Sequence, residues 1–257
     1  MKPLRIFVPL AAIVLTLALG IPGYIAIMKS GAMPLALRDN PWPFELGCFA
    51  GVVVAVLGVM SAYRQARLRI VSTLALVLSV AFAAGFLAFV FGASAQLPPP
   101  PPDLKVGATL PDATLPDENG APFSLSSLRG HTTLVVFYRG SWCPFCRSEL
   151  LALSRERDAF ASASVNVVAV SVDDPATSKQ MKDELHLTMP LLSDPSASLI
   201  TRLGLLHKGG HGSVDVARPA DLVLDKDGVV RWAAFTDNFR IRTHPDAILE
   251  AAAAIPH

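Results

Sequence analysis

Cysteine is scarce in this chain: three residues among 257, at positions 48, 143 and 146. A tetrathiolate zinc site needs four thiolates and is excluded, and a Cys/His site would have to borrow histidines from loops. Positive charge is short where nucleic acid would require it. Residues 103–257 carry fifteen Lys and Arg against nineteen Asp and Glu; no basic domain is available to meet a phosphate backbone, so nucleic acid drops out as a partner. Charge of either sign is missing from three long apolar runs, at 6–28, 46–63 and 70–91. Each approaches the roughly 20 residues that span a bilayer core, and the middle run is the shortest.

These runs predict three transmembrane helices and a lipid bilayer as partner. Lys2 and Arg5 before the first run also suit a signal peptide, with Leu17-Ala-Leu-Gly20 as its small-residue end, but the apolar run continues beyond that point and so predicts a retained helix. Arg64, Arg67 and Arg69 fill the short connection between the second and third runs, whereas the first connection has only Lys29 and Arg38 and no Lys or Arg follows the third run until Lys105. Basic residues stay on the cytoplasmic side. The expectation is a multi-pass protein of a bacterial inner membrane whose C-terminal part is extracytoplasmic, in an oxidising compartment where a dithiol needs an external thiol reductant.

The length suits about two units. A membrane domain at 1–97 is followed by the proline run 98–103, which predicts a semi-rigid polyproline II spacer, and by a domain at 104–257. In the latter, strands at 113–115 and 122–125 flank the turn Asp117-Glu-Asn-Gly120. An apolar strand at 132–138 leads into a helix reaching about residue 160, and 166–172 reads as a strand buried in a parallel sheet. Helices at 177–185 and 196–203 enclose the short run 189–192. Strands at 220–224 and 229–235 bracket Asp225-Lys-Asp-Gly228, and a helix at 245–254 closes the chain. This β-α-β start and β-β-α end is the thioredoxin arrangement, an α/β fold with a larger insertion between its halves.

Chemistry concentrates at Arg139-Gly-Ser-Trp-Cys-Pro-Phe-Cys146, between the 132–138 strand and the following helix. Unpaired N–H groups and the positive end of a helix dipole stabilise a thiolate at a helix start. Cys143 is therefore the expected nucleophile and Cys146, one turn on, the expected resolving thiol. Cys48, alone in an apolar run, reads as a packing residue. His207 and His211, separated by Gly209-Gly210, read as a polar loop, and Asp173-Asp174 as a solvated turn before Pro175.

Tyr138-Arg-Gly-Ser-Trp-Cys-Pro-Phe-Cys146, Val170-Ser-Val-Asp173, Leu191-Leu-Ser-Asp194, and Ala217-Arg-Pro219 with Leu224-Asp-Lys-Asp-Gly228 resemble the AhpC/TSA-type, peroxiredoxin-like redoxins of the thioredoxin superfamily. The resemblance covers about residues 104–254 and implies dithiol/disulfide chemistry without a cofactor or metal, with hydroperoxide reduction in the true peroxiredoxins. The peroxidase motif resembles P-x-x-x-T/S-x-x-C. Counted back from Cys143, its hydroxyl position holds Gly140 and its proline position Val136. The position where peroxiredoxins carry an arginine holds Pro219, with Arg218 one residue earlier, and Pro219 looks like the cis-proline of thioredoxins.

Those departures favour a membrane-anchored thiol-disulfide oxidoreductase acting on protein or small-molecule disulfides. Trp142, Pro219, Arg139 and Arg218 are its expected substrate-binding residues, the arginines lowering a thiolate pKa or holding a peroxide or carboxylate; Arg240 and Arg242 are weaker candidates for the same task. A peroxiredoxin-like peroxidase using the same cysteines on a hydroperoxide is the alternative. A non-catalytic redox sensor or assembly module is the reading from a different class.

Overall fold

The computed structural model describes residues 4–30, 34–62 and 66–255, which fall into two compact units, Met1–Ala95 and Gln96–His257. Lys2, Tyr63 and Arg64 lie outside the described residues, as do the side chains of Arg5 and Arg67. The expected sidedness rests largely on these basic residues.

The first unit is helical: α1 (Leu4–Leu19), α2 (Ile21–Lys29), α3 (Leu35–Asp39), α4 (Trp42–Ala62) and α5 (Ala66–Phe91). Among the described residues, two helices are long and apolar enough to cross a membrane. One is α4; the other runs over Leu68–Ala95 and so contains most of α5. The apolar run at 6–28, expected to be one helix, is instead broken at Gly20, with Pro22 in the first turn of α2 and a bend of 42° between Val8–Leu19 and Pro22–Lys29. Proline has no N–H to continue the helical ladder, and its ring collides with the carbonyl four residues earlier. Among the described residues the candidate spans therefore number two, or three if the bent pair is one span. The middle run, the shortest by hydropathy, lies in the unbroken 21-residue α4.

Small residues explain how α4 packs. Gly47, Gly51, Ala55, Gly58 and Ala62 are all buried. A Cβ on Gly51 would sit 2.2 Å from Thr16 Oγ1, and one on Gly47 would sit 2.3 Å from Leu19 Cδ1. Only residues this small allow the backbones of α1 and α4 to approach so closely. Cys48 is buried beside the Leu19 carbonyl, as expected of a packing residue.

The second unit contains β1 (Thr114–Pro116), β2 (Pro122–Ser124), β3 (Thr132–Phe137), α6 (Pro144–Arg155), α7 (Arg157–Ser162), β4 (Val165–Ser171), α8 (Pro175–Leu185), β5 (Leu191–Ser193), α9 (Ser198–Arg202), β6 (Leu206–His211), β7 (Val214–Ala217), β8 (Ala220–Leu224), β9 (Val230–Phe235) and α10 (Pro245–Ala253). Five strands form a sheet in the order β5-β4-β3-β8-β9. β3 pairs parallel with β4 and antiparallel with β8, and β9 extends the antiparallel side. This is the expected thioredoxin-like α/β fold. Leu134, Val135, Val136 and Phe137 of the central strand are fully buried, and each such side chain contributes about 1.5–3 kcal/mol of burial free energy. The core they anchor holds the end of β3 rigid, where the cysteine loop begins.

Three local readings differ. The helix expected to run to about 160 is interrupted at Glu156, giving α6 and α7. Residues 207–211, read as a polar loop around two glycines, belong to the β6–β7 hairpin, with His207 opposite Val216 and an irregular register before His211. Glycine weakens strand propensity and marks such irregularities, which hid this hairpin. The proline run groups with the second unit: the Pro98 carbonyl accepts a hydrogen bond from Arg218 Nε at 2.7 Å, and Pro101 is buried against Gly204, where a Cβ would lie 2.8 Å from its ring.

Candidate active site

The chain leaves β3 through Tyr138 and Arg139, both buried, and turns at Gly140 with φ +151°. A Cβ at Gly140 would come within 2.6 Å of Trp142 Nε1 and 3.1 Å of Asp173 Oδ1, so glycine is required by space as well as by backbone conformation. The Ser141 amide donates to Asp173 Oδ2 at 2.7 Å. Asp173 therefore fastens the cysteine loop rather than forming a solvated turn, and burial pushes its carboxyl up. Asp174, beside it, is the N-cap of α8.

Cys143 is the N-cap of α6: its Sγ accepts from the Cys146 amide at 3.4 Å, and Pro144 occupies the first turn, where no N–H is needed. Both thiols are free and buried, at 1% and 0% exposure. Arg242, arriving from the segment before α10, places Nη2 3.3 Å from Cys146 Sγ. Its Nε donates to Glu149 Oε2 at 2.9 Å, and this carboxylate, one turn beyond Cys146 on α6, is itself buried.

The groups around the two thiols favour charge on Cys146 more than on Cys143. Burial opposes a charge on Cys146, but the Cys143 thiol, the Arg242 guanidinium and the Arg139 backbone N–H all favour it, pulling Cys146 down to about 5. Burial, together with the hydrogen bond it gives Cys146 and the charge there, pushes Cys143 well up despite its place at the helix start. One capping N–H on Cys143 is outweighed by the donors and charge that converge on Cys146.

The remaining predicted residues separate into near and far. The Arg139 guanidinium lies 4.9 Å from the centroid of Trp142 and 4.3 Å from that of Phe239, and donates to the Gly210 carbonyl. Burial lowers its pKa, and the two thiols work against that. Trp142 stacks on His211 of β6, centroids 3.7 Å apart and planes inclined by 15°. Arg218 is engaged elsewhere: beyond its bond to Pro98, Nη2 lies 3.5 Å from Asp237 Oδ1 and the guanidinium sits 5.5 Å from the Phe235 centroid. Pro219 lines a small cleft that it shares with Arg242. Its peptide bond is trans, since no cis bond occurs among the described residues; the cis-proline expectation is corrected accordingly.

Arg242 was underrated because no local pattern joins it to the cysteines, and Glu149, one turn after Cys146, was missed because its partner is that distant arginine. A sequence signal for Cys146 did exist. Counting P-x-x-x-T/S-x-x-C back from Cys146 instead of Cys143 puts Cys143 in the hydroxyl position and Arg139 in the proline position.

Two buried thiols at a helix start, one held against an arginine, on a thioredoxin-like sheet define a thiol-dependent oxidoreductase. The AhpC/TSA family matches residues 106–233, wholly within the second unit. A Mycobacterium tuberculosis protein named "Putative peroxiredoxin" is 33% identical over 134 residues, which are 51% of this chain and 85% of that protein. The chain belongs to the AhpC/TSA family. Peroxiredoxin Bcp of Escherichia coli is 28% identical over 148 residues, 57% of this chain and 94% of the relative. Among solved structures, peroxidoxin BcpB of M. tuberculosis superposes with a TM-score of 0.53 over 60% of this chain and 99% of its own, at 24% identity, a likeness of fold.

Proposed function

We propose that this protein is a membrane-anchored thiol peroxidase in which Cys146 attacks the hydroperoxide and Cys143 resolves the product. The observation that carries this reading is the Arg242 guanidinium 3.3 Å from Cys146 Sγ, held there by the buried Glu149. A cation at that point favours the thiolate and faces the oxygen on which negative charge develops as the O–O bond breaks. The peroxiredoxin names of the relatives support the same substrate class. The roles of the two cysteines are thus exchanged relative to the helix-dipole argument.

In the first step the Cys146 thiolate bonds to the terminal peroxide oxygen, and the O–O bond breaks. The sulfur is oxidised to a sulfenic acid; the alkoxide leaves and takes a proton to become the alcohol. Cys143, one helical turn away, then forms the S–S bond and expels water. An external thiol returns the pair to the dithiol through a mixed disulfide. Trp142 stacks on His211, and Arg139 lies against the Trp142 ring and close to the two sulfurs.

The apolar helices anchor the enzyme in a bilayer, with the second unit on the extracytoplasmic side as the arginine distribution of the sequence favours. Turnover tests the reading. The full chain in detergent should consume hydrogen peroxide or tert-butyl hydroperoxide in many equivalents when supplied with a thiol, and Cys146→Ser should abolish this. Reduction of insulin disulfides that outpaces peroxide consumption would instead support a disulfide oxidoreductase.

A further inference from the structure

A second group of polar nitrogens lies along the β6–β7 hairpin, joined to the thiols only through Arg139, and the peroxide chemistry does not use it. Arg139 and Arg218 are 5% and 0% exposed. Arg139 Nε, both Nη atoms of Arg218 and His207 Nδ1 are buried without a hydrogen-bond partner among the described residues. Arg218 Nη2 forms an ion pair at 3.5 Å with the 93% exposed carboxylate of Asp237, and Nη1 has neither a hydrogen bond nor an ion pair among the described residues. Buried N–H groups left in this state are costly, on the order of 1–3 kcal/mol each and more for charged ones, and a fold retains them where they meet a ligand.

The hairpin register brings these groups together. His207 lies opposite Val216, so His207, Val216 and Arg218 share one face of the hairpin, the arginine being the diagonal neighbour within reach of a long side chain. Gly210 joins the same face from the other end: a Cβ there would lie 2.5 Å from Val216 Cγ2 and 2.8 Å from His207 Nδ1. The Gly210 carbonyl accepts from Arg139. Both arginines depress the protonation of His207, after the larger effect of its burial, as expected of cations close to its ring. The opposing charges nearby are Asp215 and the exposed Asp237.

We propose that Arg139, His207 and Arg218 form a carboxylate-binding subsite next to the Cys143/Cys146 pair, which holds the acid group of the molecule reacting there. Arg139 lies between the two functions, beside the thiols on one side and under Gly210 on the other. Guanidinium groups present paired donors matched to the two oxygens of a carboxylate, and neutral His207 supplies a third donor when its proton is on Nδ1. The inference rests on the reading of Cys146 and Cys143 as the reacting pair. The acid could belong to either of two reactants, an organic hydroperoxide or the thiol that reduces the disulfide.

Matched acid and methyl ester pairs separate these sources. In one arm, the reduced full chain in neutral detergent is mixed with 13-hydroperoxyoctadecadienoic acid or its methyl ester. In the other, the chain is first oxidised to the disulfide with diamide and then reduced with 3-mercaptopropionate or its methyl ester; this arm needs no peroxidase activity, so loss of the peroxidase reading and loss of the subsite are distinguishable. Tryptophan fluorescence follows both reactions. The acid should react at least about tenfold faster than its ester in one arm, and the arm that shows the preference identifies the ligand. Arg218→Gln and His207→Gln should each bring that ratio below about threefold, whereas Lys208→Gln, which removes an exposed charge from the same hairpin, should leave it unchanged. His207→Gln keeps the test open if Arg218→Gln fails to fold. Equal acid and ester rates in both arms would overturn the proposal, as would a preference that survives His207→Gln or disappears with Lys208→Gln.

Discussion

Arg242 Nη2 meets Cys146 Sγ at 3.3 Å although the two residues are 96 positions apart, and the same guanidinium donates through Nε to Glu149. A cation tied to the cysteine's own helix is fixed relative to the sulfur. The protein thus stabilises the thiolate through long-range packing and not through the helix start alone.

The first consequence is a pH dependence. Cys146 is drawn down to about 5, well below its ordinary value, so its reaction with iodoacetamide or peroxide should be half-maximal near pH 5 and level at neutral pH. The sign for stability follows: the ionised Cys146 stabilises the reduced fold fully above the pKa of an unfolded thiol, and that contribution is lost as pH falls through about 5. Thiolate absorbance at 240 nm against pH, with Cys143→Ser to isolate the signal, checks both. A midpoint at 8 or above would remove the role given to Arg242.

Arg242→Met should lower the second-order rate with peroxide by about a hundredfold, the usual cost of one positioned charge donor, and move the midpoint of the pH profile upward. Glu149→Gln breaks a buried ion pair at 1% and 3% side-chain exposure, which costs about 3–5 kcal/mol when one partner is removed. Thermal unfolding should show this as a fall in Tm well beyond that of an exposed substitution such as Lys208→Gln.

Gly140→Ala should be far more damaging than its one methyl group suggests. The backbone there has φ +151°, and the new Cβ would strike Trp142. About 1–3 kcal/mol of stability should be lost, together with a change in Trp142 fluorescence as its stack on His211 is disturbed. A variant with unchanged Tm and emission would show that the loop tolerates another path.

The sheet was legible because its strands are short, continuous, β-branched apolar runs bounded by turn residues: 132–138 and 166–172 became β3 and β4, and the Asp225–Gly228 turn joined β8 and β9. The cysteine block was legible as a redox site. The surroundings that favour charge on Cys146 were not, because helix position acts locally whereas Arg242 reaches that thiol from 96 positions away. Arg218 carried the family's arginine by proximity in sequence, yet its guanidinium is directed to Pro98 and Asp237. The β6–β7 hairpin was hidden by glycines that its turn and irregular register require.

Membrane attachment is checked independently of the chemistry. With two helices among the described residues long and apolar enough to span, the full chain should remain in the membrane fraction after alkaline carbonate extraction. A C-terminal alkaline phosphatase fusion should be active if the second unit is extracytoplasmic. An inactive phosphatase with a fluorescent cytoplasmic reporter would reverse the orientation and make the cytosolic thiol pool the source of electrons.

The central claim is that oxygen is transferred to Cys146. Reduced Cys143→Ser protein, which has no thiol one turn away to resolve the product, should be treated with one equivalent of hydrogen peroxide in the presence of dimedone, and the adduct located by peptide mass spectrometry. The account predicts a stoichiometric adduct on Cys146 and none on Cys48. The reciprocal Cys146→Ser protein should give no adduct on Cys143 at the same exposure. Dimedone on Cys143 in Cys146→Ser, with Cys146 unmodified in Cys143→Ser, would contradict it and return the role of nucleophile to the first cysteine.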